Sequence, residues 1–332
     1  MKPIAIVGMG LAGACTAWQL WRRGAKFRII DSGRRGSSHV AAGLVHPVTG
    51  KNCTVADDFA MHRDEAQQFY HECESVVKEQ IWFPLEVLRL LSLSEQKKLL
   101  PKFQTGPAVE WVKQIFVDDR WPDDVAIALK GGARLDVVAF LQTSRVFFSS
   151  LGLLEEREFT GPSDGEITIM CEGAQGLMWG SPIPWQHRCA KGEILTVHAP
   201  SWQQSRMITG RGWLVPIGDD CYKVGATYEW NELDDEPTAV GLLYLESIAR
   251  NLGGDDYTIR VHDAGIRPIL RKSQPVAGAI SPDVYVLNGL GSKGSLSAPW
   301  ASRCLVEHLL EGVPLHSRLS LENYFATVGR PA

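Results

Sequence analysis

The sequence predicts an α/β protein that combines a mostly parallel sheet with a second region of short antiparallel strands. Three observations predict this class. A strand, a glycine-rich turn and a helix follow one another at residues 4–23, and the same order returns at residues 284–311. Between them lie short runs rich in β-branched and aromatic residues, separated by turn residues, which are typical of antiparallel strands.

Length and composition indicate two joined domains of a soluble, cytoplasmic protein. The 332 residues are 45% hydrophobic and 22% charged, and the net charge of -4 argues against a surface dedicated to nucleic acid. Seven scattered cysteines without a C-x-x-C pair indicate reduced thiols and no metal site. No apolar stretch is long enough to span a bilayer, and the N-terminal apolar run lacks the basic head of a signal peptide.

The N-terminal region carries a dinucleotide-binding pattern. Residues 4–7 form a continuous apolar strand, as in the centre of a parallel sheet, and a helix is predicted over 14–23. Between them, Gly8, Gly10 and Gly13 spell G-x-G-x-x-G. In this pattern the first glycine permits the turn, the second lets the backbone approach a pyrophosphate, and the third allows the helix to pack closely on the strand. The helix N-terminus then faces the phosphate charge.

The strand that follows supports the same assignment. Residues 27–30 are apolar apart from one arginine, and they end in Asp31, 23 positions after Gly8. A carboxylate at this distance can accept hydrogen bonds from an adenosine ribose. Strand, glycines, helix, second strand and acid therefore occur in order and predict a dinucleotide site, but the motif does not separate NAD from FAD.

A second glycine turn occupies residues 289–294, after a strand over 284–287 and before a helix predicted over 299–311. Backbone N–H groups at such a helix start can bind an anion or approach an electron-rich flavin ring. An ordinary connection between strand and helix uses glycine just as freely, so the turn alone leaves both interpretations open. A nicotinamide dehydrogenase, however, normally completes its nucleotide domain in one continuous stretch.

Four further segments complete a resemblance to a known family. They are GSSHVAAGLVHPVTG (36–50), GEITIMCEGAQG (165–176), YKVGATYEWNELDDEPT (222–238) and AGIRPILRKSQPVAG (264–278). In this order and spacing they resemble the D-amino-acid oxidase / glycine oxidase family of FAD-dependent amine oxidases, over nearly the whole chain. GLVHPVTG and GLGSKGSLSAP are most similar to the oxidase domain of a bifunctional enzyme that matures a wobble uridine in tRNA.

The resemblance implies a glutathione-reductase-type FAD-binding Rossmann domain built from residues 1–78, 131–182 and 263–332. Residues 79–130 and 183–262 would form an inserted antiparallel-sheet substrate domain that caps the flavin. The family's FAD-binding positions, carried over one by one, are Gly8, Gly10, Leu11, Ala12, Gly13, Asp31, Ser32, Ser38, Ala42, Gly43, Leu44, Gly173, Ala174, Gly289, Gly291, Ser292, Lys293, Gly294 and Ser295.

The resemblance also implies a set of catalytic residues. Arg267, in AGIRP, is expected to pair with the substrate carboxylate, and Trp213 to place an aromatic ring against the substrate. Lys293 is expected to stabilise negative charge on reduced flavin, with His46 and Tyr228 in the cavity wall. Four of these residues have a structural alternative, namely a solvated arginine, a solvated lysine, a core tryptophan and a structural histidine.

The implied function is oxidation of the C–N bond of a small amino acid or N-substituted glycine by hydride transfer to flavin, with O2 as acceptor. The alternatives are oxidation of a carboxymethylamino group on tRNA uridine, an NAD-dependent dehydrogenase, and a non-catalytic flavin-binding redox or assembly protein. Three departures from the family bear on this. Lys272-Ser273 replaces an acid-glycine pair, Glu172 replaces a small residue, and a shorter chain predicts a reduced cap that a homo-oligomer or partner subunit could complete.

Overall fold

The computed structural model describes residues 2–56, 58–179, 183 and 185–328. In these ranges the chain forms nine α-helices, which are α1 (Leu11–Arg22), α2 (Ser37–Val40), α3 (Phe59–Val77), α4 (Leu93–Gln104), α5 (Val137–Ser150), α6 (Gly173–Met178), α7 (Ala239–Leu252), α8 (Gly294–Glu311) and α9 (Leu321–Val328). Two short 3₁₀ helices are Val109–Trp111 and Pro200–Trp202. None of the helices described is long and apolar enough to cross a membrane.

The same ranges contain nineteen strands. They are β1 (Ile4–Val7), β2 (Phe27–Asp31), β3 (Leu44–Val45), β4 (Val48–Thr49), β5 (Thr54–Val55), β6 (Trp82–Pro84), β7 (Val87–Leu91), β8 (Val112–Asp118), β9 (Trp121–Leu129), β10 (Ala133–Leu135), β11 (Leu154–Glu156), β12 (Ile167–Met170), β13 (Ala190–His198), β14 (Met207–Gly210), β15 (Gly212–Gly218), β16 (Cys221–Gly225), β17 (Thr258–Arg267), β18 (Val276–Ser281) and β19 (Val284–Asn288).

Six of these strands form a central sheet in the order β11-β2-β1-β12-β19-β18, in which only β18 runs antiparallel to its neighbour. In the register Ile4 lies beside Phe27 on one side and Ile167 on the other. β12 pairs in turn with β19, so the two ends of the chain belong to one sheet. Helices α1, α3, α5 and α8 bury their apolar faces in the core beside this sheet. Their burial accounts for the continuous apolar run of β1.

The second sheet has eight strands in the order β17-β13-β16-β15-β14-β7-β9-β8. All pairs are antiparallel except β7 with β14. Leu245 and Ile248 of α7 pack in the apolar cluster on one face. The other face packs against α4 and against Ala42, which precedes β3. The two sheets confirm the predicted α/β class with a second, largely antiparallel sheet.

Both helices that follow the glycine turns begin earlier than predicted. α1 begins at Leu11 and not at residue 14, while α8 begins at Gly294 and not at Pro299, which lies inside it. Glycine and proline lower intrinsic helix propensity, but burial of these first turns outweighs that preference. Pro299 has no N–H for the carbonyl of Ser295, and the Tyr70 hydroxyl donates to that carbonyl at 3.1 Å.

The domain limits derived from the resemblance remain a prediction. The limit between 262 and 263 falls within β17, which pairs with β13 on both sides of it. The small sheet β3-β10-β6 takes strands from both predicted domains. Residue 182, the predicted end of one segment, lies outside the described residues.

Candidate active site

One cleft of about 2340 Å³ is lined by residues from both large sheets. Its wall contains every residue that the sequence analysis assigned to FAD or substrate, except Gly13 and Gly289. A pocket for a drug-sized ligand holds about 300–1,000 Å³, so this cleft has room for a dinucleotide and a substrate together. The described residues contain no group of three histidine, cysteine or acidic side chains that could hold a metal ion.

The first glycine turn requires its glycines for three different reasons. Gly8 has a φ of +91°, and a Cβ there would lie 2.7 Å from the carbonyl oxygen of Cys171. A Cβ on Gly13 would lie 1.9 Å from the Gly8 oxygen, so Gly13 serves the packing of α1 and not the wall of the cleft. Gly10 lines the cleft, where a Cβ on it would lie 3.4 Å from the Ser38 hydroxyl oxygen and would stand between the backbone and a pyrophosphate.

The N-terminus of α1 is held at the cleft by two side chains. Gly10 is its N-cap and supplies no side chain to the first N–H groups. The Leu11 N–H donates to the Ser38 hydroxyl at 3.2 Å, and the Met9 N–H donates to Asp31 Oδ1 at 2.8 Å. The remaining N–H groups of the first turn carry the positive end of the helix dipole, which suits a phosphate.

Asp31 is oriented by a residue that the sequence analysis missed. Its Oδ2 accepts the N–H of Gly33 at 3.2 Å and pairs with Arg145 of α5. Arg145 also pairs with Glu156 at 2.6 Å. This arginine lies 114 positions from Asp31 in the sequence, in no recognisable motif, so only the fold brings the two together.

The second glycine turn is connected through Asn288 to Gly173, which follows β12 in the segment 165–176. Asn288 Nδ2 donates to the Gly173 carbonyl at 2.9 Å, and its Oδ1 accepts the Gly289 N–H at 2.7 Å. Gly289 has a φ of +78°, and a Cβ there would lie 2.6 Å from Leu270 Cδ1. Gly289 is therefore a packing glycine, like Gly13, and Asn288 is a wall residue that the motif did not indicate.

The two helices that begin at the glycine turns meet at the cleft. A Cβ on Gly294, the first residue of α8, would lie 2.9 Å from Leu11 Cδ2 at the start of α1. Ser292, Lys293 and Ser295 lie on the wall beside this contact. Two helix N-termini thus face one cleft, which explains why the chain carries a backbone-exposing turn near each end.

The loop between α2 and β3 is held from the second sheet. Lys223 of β16 donates through Nζ to the carbonyl oxygens of Val40 at 2.9 Å and Ala41 at 3.1 Å. Burial lowers the pKa of Lys223. Gly43, just beyond, has a φ of +71°, and a Cβ there would lie 1.8 Å from the Leu135 oxygen, so close packing requires glycine here. Lys223 thereby fixes the loop that carries Ala42, Gly43 and Leu44.

His46 and Trp213 lie on the wall with different environments. Burial, together with the positive charges of Arg89 and Lys293, lowers the pKa of His46 to about 4, so the imidazole is neutral at physiological pH. Its Nδ1 has no hydrogen-bond partner among the described residues. Trp213 is half-buried on β15, where the facing Gly225 leaves the room that its ring occupies.

Arg267 is the last residue of β17 and lines the cleft. Its guanidinium donates to the carbonyl oxygens of Lys191 at 3.2 Å and Thr227 at 3.3 Å, and its Cζ lies 4.5 Å from the Tyr228 ring centroid. A Cβ on Gly192 would lie 2.0 Å from Nη2 and 2.2 Å from Cζ, so only glycine leaves room for the guanidinium.

The electrostatic state of Arg267 differs from that of Arg28, Arg145 and Arg303. Burial lowers its pKa, and the Tyr228 side chain opposes this effect. Within the described ranges no carboxylate pairs with it, whereas Arg28, Arg145 and Arg303 each pair with two carboxylates. A half-buried cation without a counter-ion is stabilised by an incoming anion. A carboxylate can accept two parallel hydrogen bonds from this group.

Comparison with known proteins finds similar folds over almost the whole chain. Glycine oxidase from Geobacillus kaustophilus superposes with a TM-score of 0.82, at 20% identity, over 95% of this chain and 96% of that one. Iminodiacetate oxidase (IdaA) from Chelativorans sp. BNC1 gives a TM-score of 0.79, at 22% identity, over 96% of this chain and 99% of that one.

A curated relative and a family profile extend the comparison. The tRNA 5-methylaminomethyl-2-thiouridine biosynthesis bifunctional protein MnmC of Idiomarina loihiensis is 23% identical over 90% of this chain. The chain spans only 54% of that relative's length. The profile of the DAO family, described as FAD dependent oxidoreductase, matches residues 3–308. The predicted family, the enzyme class and the FAD cofactor are confirmed by this match: the chain belongs to the DAO family of FAD-dependent oxidoreductases.

Proposed function

We propose that this protein oxidises the C–N bond of a small amino acid or N-substituted glycine. The observation that carries the proposal is Arg267, whose guanidinium faces the cleft and pairs with no carboxylate of the described residues. A substrate carboxylate would supply the missing negative charge and leave the neighbouring amine beside the flavin site. The names of the glycine and iminodiacetate oxidases of similar fold support an amino-acid substrate.

The residues of the cleft would hold FAD in the orientation that the family resemblance implies. Gly8, Gly10 and the N-terminus of α1 would hold the pyrophosphate, and Asp31 would accept hydrogen bonds from the ribose. The turn before α8 would approach the flavin ring, and Lys293 would stabilise its negative charge. Bound FAD supplies a hydride acceptor, and O2 is the proposed final acceptor.

The remaining wall residues would orient the substrate and exclude water. Tyr228 presents aromatic surface beside Arg267, and Trp213 lines the same cleft. His46 is neutral, so it adds no charge that would compete for the carboxylate. Hydride transfer from a neutral amine depends on positioning and desolvation more than on a general base. The wall therefore needs no dyad of proton-transferring side chains.

The test is anaerobic reduction of the purified flavoprotein. Glycine, sarcosine, iminodiacetate and D-amino acids are added in turn, and the visible absorbance of the flavin is followed. At least one is expected to bleach it, and readmitted oxygen is expected to restore the colour with formation of hydrogen peroxide. An Arg267→Ala variant with a normal flavin content is expected to require far higher substrate concentrations. Absence of bleaching with every amine would refute the substrate class.

A second candidate is oxidation of a carboxymethylamino group on tRNA. The name of the curated relative favours it, although this chain spans about half of that protein. Against it, residues 226–238 of the cleft wall contain five acids and neither lysine nor arginine. A phosphate backbone would be repelled there unless a partner supplied positive charge. Salt-dependent binding of unmodified and modified tRNA would distinguish the two substrates.

A further inference from the structure

The segment from residue 226 to residue 238, here called the rim segment, connects β16 to α7 and lines the cleft. It presents two large aromatic side chains, Tyr228 at 44% and Trp230 at 53% exposure. Their ring centroids are 5.1 Å apart, with an angle of 44° between the planes. Aromatic side chains that are grouped and exposed at a cleft are typical of binding surfaces, because a ligand that covers them removes apolar surface from water.

The two rings continue from the proposed carboxylate site. The Arg267 guanidinium lies 4.5 Å from the Tyr228 ring centroid, and Tyr228 in turn contacts Trp230. Arg267 is half-buried, and the exposed fraction rises through Tyr228 to Trp230. A substrate anchored by its carboxylate on Arg267 would therefore meet Tyr228 first and Trp230 nearer to solvent. A methyl substituent is too small to reach both rings.

The rings are held by a fixed backbone. Glu229 lies between the two aromatic residues in the sequence. Its backbone carbonyl accepts the N–H of Lys191 at 2.8 Å, and its backbone N–H donates to the Lys191 carbonyl at 3.0 Å. The Glu229 carboxylate accepts the N–H groups of Trp230 at 2.7 Å and Asn231 at 2.6 Å. Lys191, only 1% exposed, also pairs through Nζ with Asp234. Rings that are ordered before binding cost a ligand less conformational entropy.

The charge of the rim segment limits what the rings can bind. Five of its residues are acidic, namely Glu229, Glu232, Asp234, Asp235 and Glu236. Within the described part of the chain only Asp234 has a cationic partner. The negative potential of the rim segment opposes an anionic substituent beside it. A neutral ring is accepted, and a cationic one gains further from the aromatic faces.

We infer that the substrate carries a flat, uncharged or cationic ring on its nitrogen or α-carbon, and that Tyr228 and Trp230 bind this ring. This inference rests on the proposed amine oxidation. It makes Trp230 a specificity residue that discriminates between substrates but does not contact the reacting atoms. It also disfavours dicarboxylate substrates such as iminodiacetate.

The test measures rates and dissociation constants for the anaerobic reduction of the holoenzyme. Sarcosine, N-benzylglycine, D-phenylalanine and N-(4-carboxybenzyl)glycine are compared on the wild type, on Trp230→Ala and on the control Tyr244→Ala. Tyr244 lines the same cleft and is 49% exposed, but it lies outside the rim segment. One of the two uncharged ring substrates is expected to bind about 3–10-fold more tightly than sarcosine, and Trp230→Ala alone is expected to abolish that preference.

A binding measurement separates this inference from the proposed function. N-acetylglycine and N-benzoylglycine contain amide nitrogens that cannot be oxidised, and their binding is followed by the shift of the flavin spectrum. Tighter binding of the benzoyl compound that is lost in Trp230→Ala supports the ring subsite even if no amine is oxidised. Equal binding of both amides, equal weakening of all ligands by Trp230→Ala, or a preference for the carboxybenzyl substrate would overturn the inference, even if sarcosine bleaches the flavin.

Discussion

Substitution of Gly192 by alanine adds one methyl group and is expected to displace the Arg267 guanidinium from the proposed carboxylate site. The new Cβ would lie 2.0 Å from Arg267 Nη2 and 2.2 Å from its Cζ. Gly192 does not have a left-handed backbone conformation, so alanine is conformationally acceptable there. The conflicting atoms are the far end of a flexible side chain, and the guanidinium moves while the backbone stays.

The size of the effect follows from these distances. Ordinary carbon contacts are about 3.5–4.0 Å, so the guanidinium must move by about 1.5 Å. Its hydrogen bonds to the carbonyls of Lys191 and Thr227, at 3.2 and 3.3 Å, would not survive this movement unchanged. Loss of one of two charge-assisted hydrogen bonds to a substrate carboxylate costs about 1.5–3 kcal/mol. The expected loss of carboxylate affinity is therefore about 10–150-fold.

The assay is titration of the holoprotein with N-acetylglycine, followed by the flavin spectrum, together with substrate saturation of flavin reduction. Gly210→Ala is the matched control, because Gly210 also lines the cleft on the same sheet and a Cβ there meets Leu90 only at 3.4 Å. Both variants are expected to retain FAD. Gly192→Ala with wild-type affinity for N-acetylglycine would refute the assignment of Arg267 to the carboxylate.

Three further substitutions test two loops and the half-buried carboxyl of Glu172. Lys223→Met removes the donor to the carbonyls of Val40 and Ala41 and is expected to lower the free energy of unfolding by about 1–3 kcal/mol and to release FAD more readily. Ser273→Gly relieves a φ of +52° and is expected to stabilise the protein by about 0.5–1 kcal/mol. Burial raises the pKa of Glu172, so the folded state holds its proton more tightly than the unfolded chain, whose carboxyl has a pKa of about 4.3. Stability is then lost as pH rises from that value through the raised pKa, and Glu172→Gln is expected to remove this loss and raise Tm at pH 7–8.

Each of these outcomes has a direct measurement. Chemical denaturation of the apoprotein and FAD dissociation measured by flavin fluorescence test Lys223→Met, and unchanged values for both would contradict the loop-holding role. Thermal unfolding tests Ser273→Gly, for which a lower Tm would be unexpected. For Glu172→Gln, Tm is compared with that of the wild type between pH 4 and pH 8. Parallel pH profiles would show that the carboxyl does not carry this dependence.

Local patterns predicted the parts of the site that a few consecutive residues specify. The glycine turn at Gly8 and the acid at Asp31 lie at the ends of the adjacent parallel strands β1 and β2. The geometry of two such strands brings the turn and the acid close together wherever the strand–turn–helix–strand pattern occurs. The alternating runs of the second sheet were recognisable for the same reason. The family resemblance then added Arg267, which no local pattern distinguishes from a solvated arginine.

Residues that act through tertiary contacts were not predictable in this way. Arg145 reaches Asp31 from a helix in the middle of the chain, and Lys223 reaches a loop more than 180 positions away. Gly192 looks like any strand glycine until the Arg267 guanidinium is found in the space that a Cβ would occupy. Pro299 lies inside α8, where the Tyr70 hydroxyl donates to the Ser295 carbonyl that Pro299 cannot satisfy. Such requirements exist only once the chain is folded.

The pairing of β12 with β19 has a consequence during synthesis on the ribosome. A nascent chain that has emerged as far as residue 280 already contains β1, β2, β11 and β12, yet one side of β12 still lacks its neighbour. The exposed edge and the apolar faces beside it are the features that invite aggregation and recruit chaperones. Loading of the cofactor must therefore wait until β19 and the glycine turn after it have emerged.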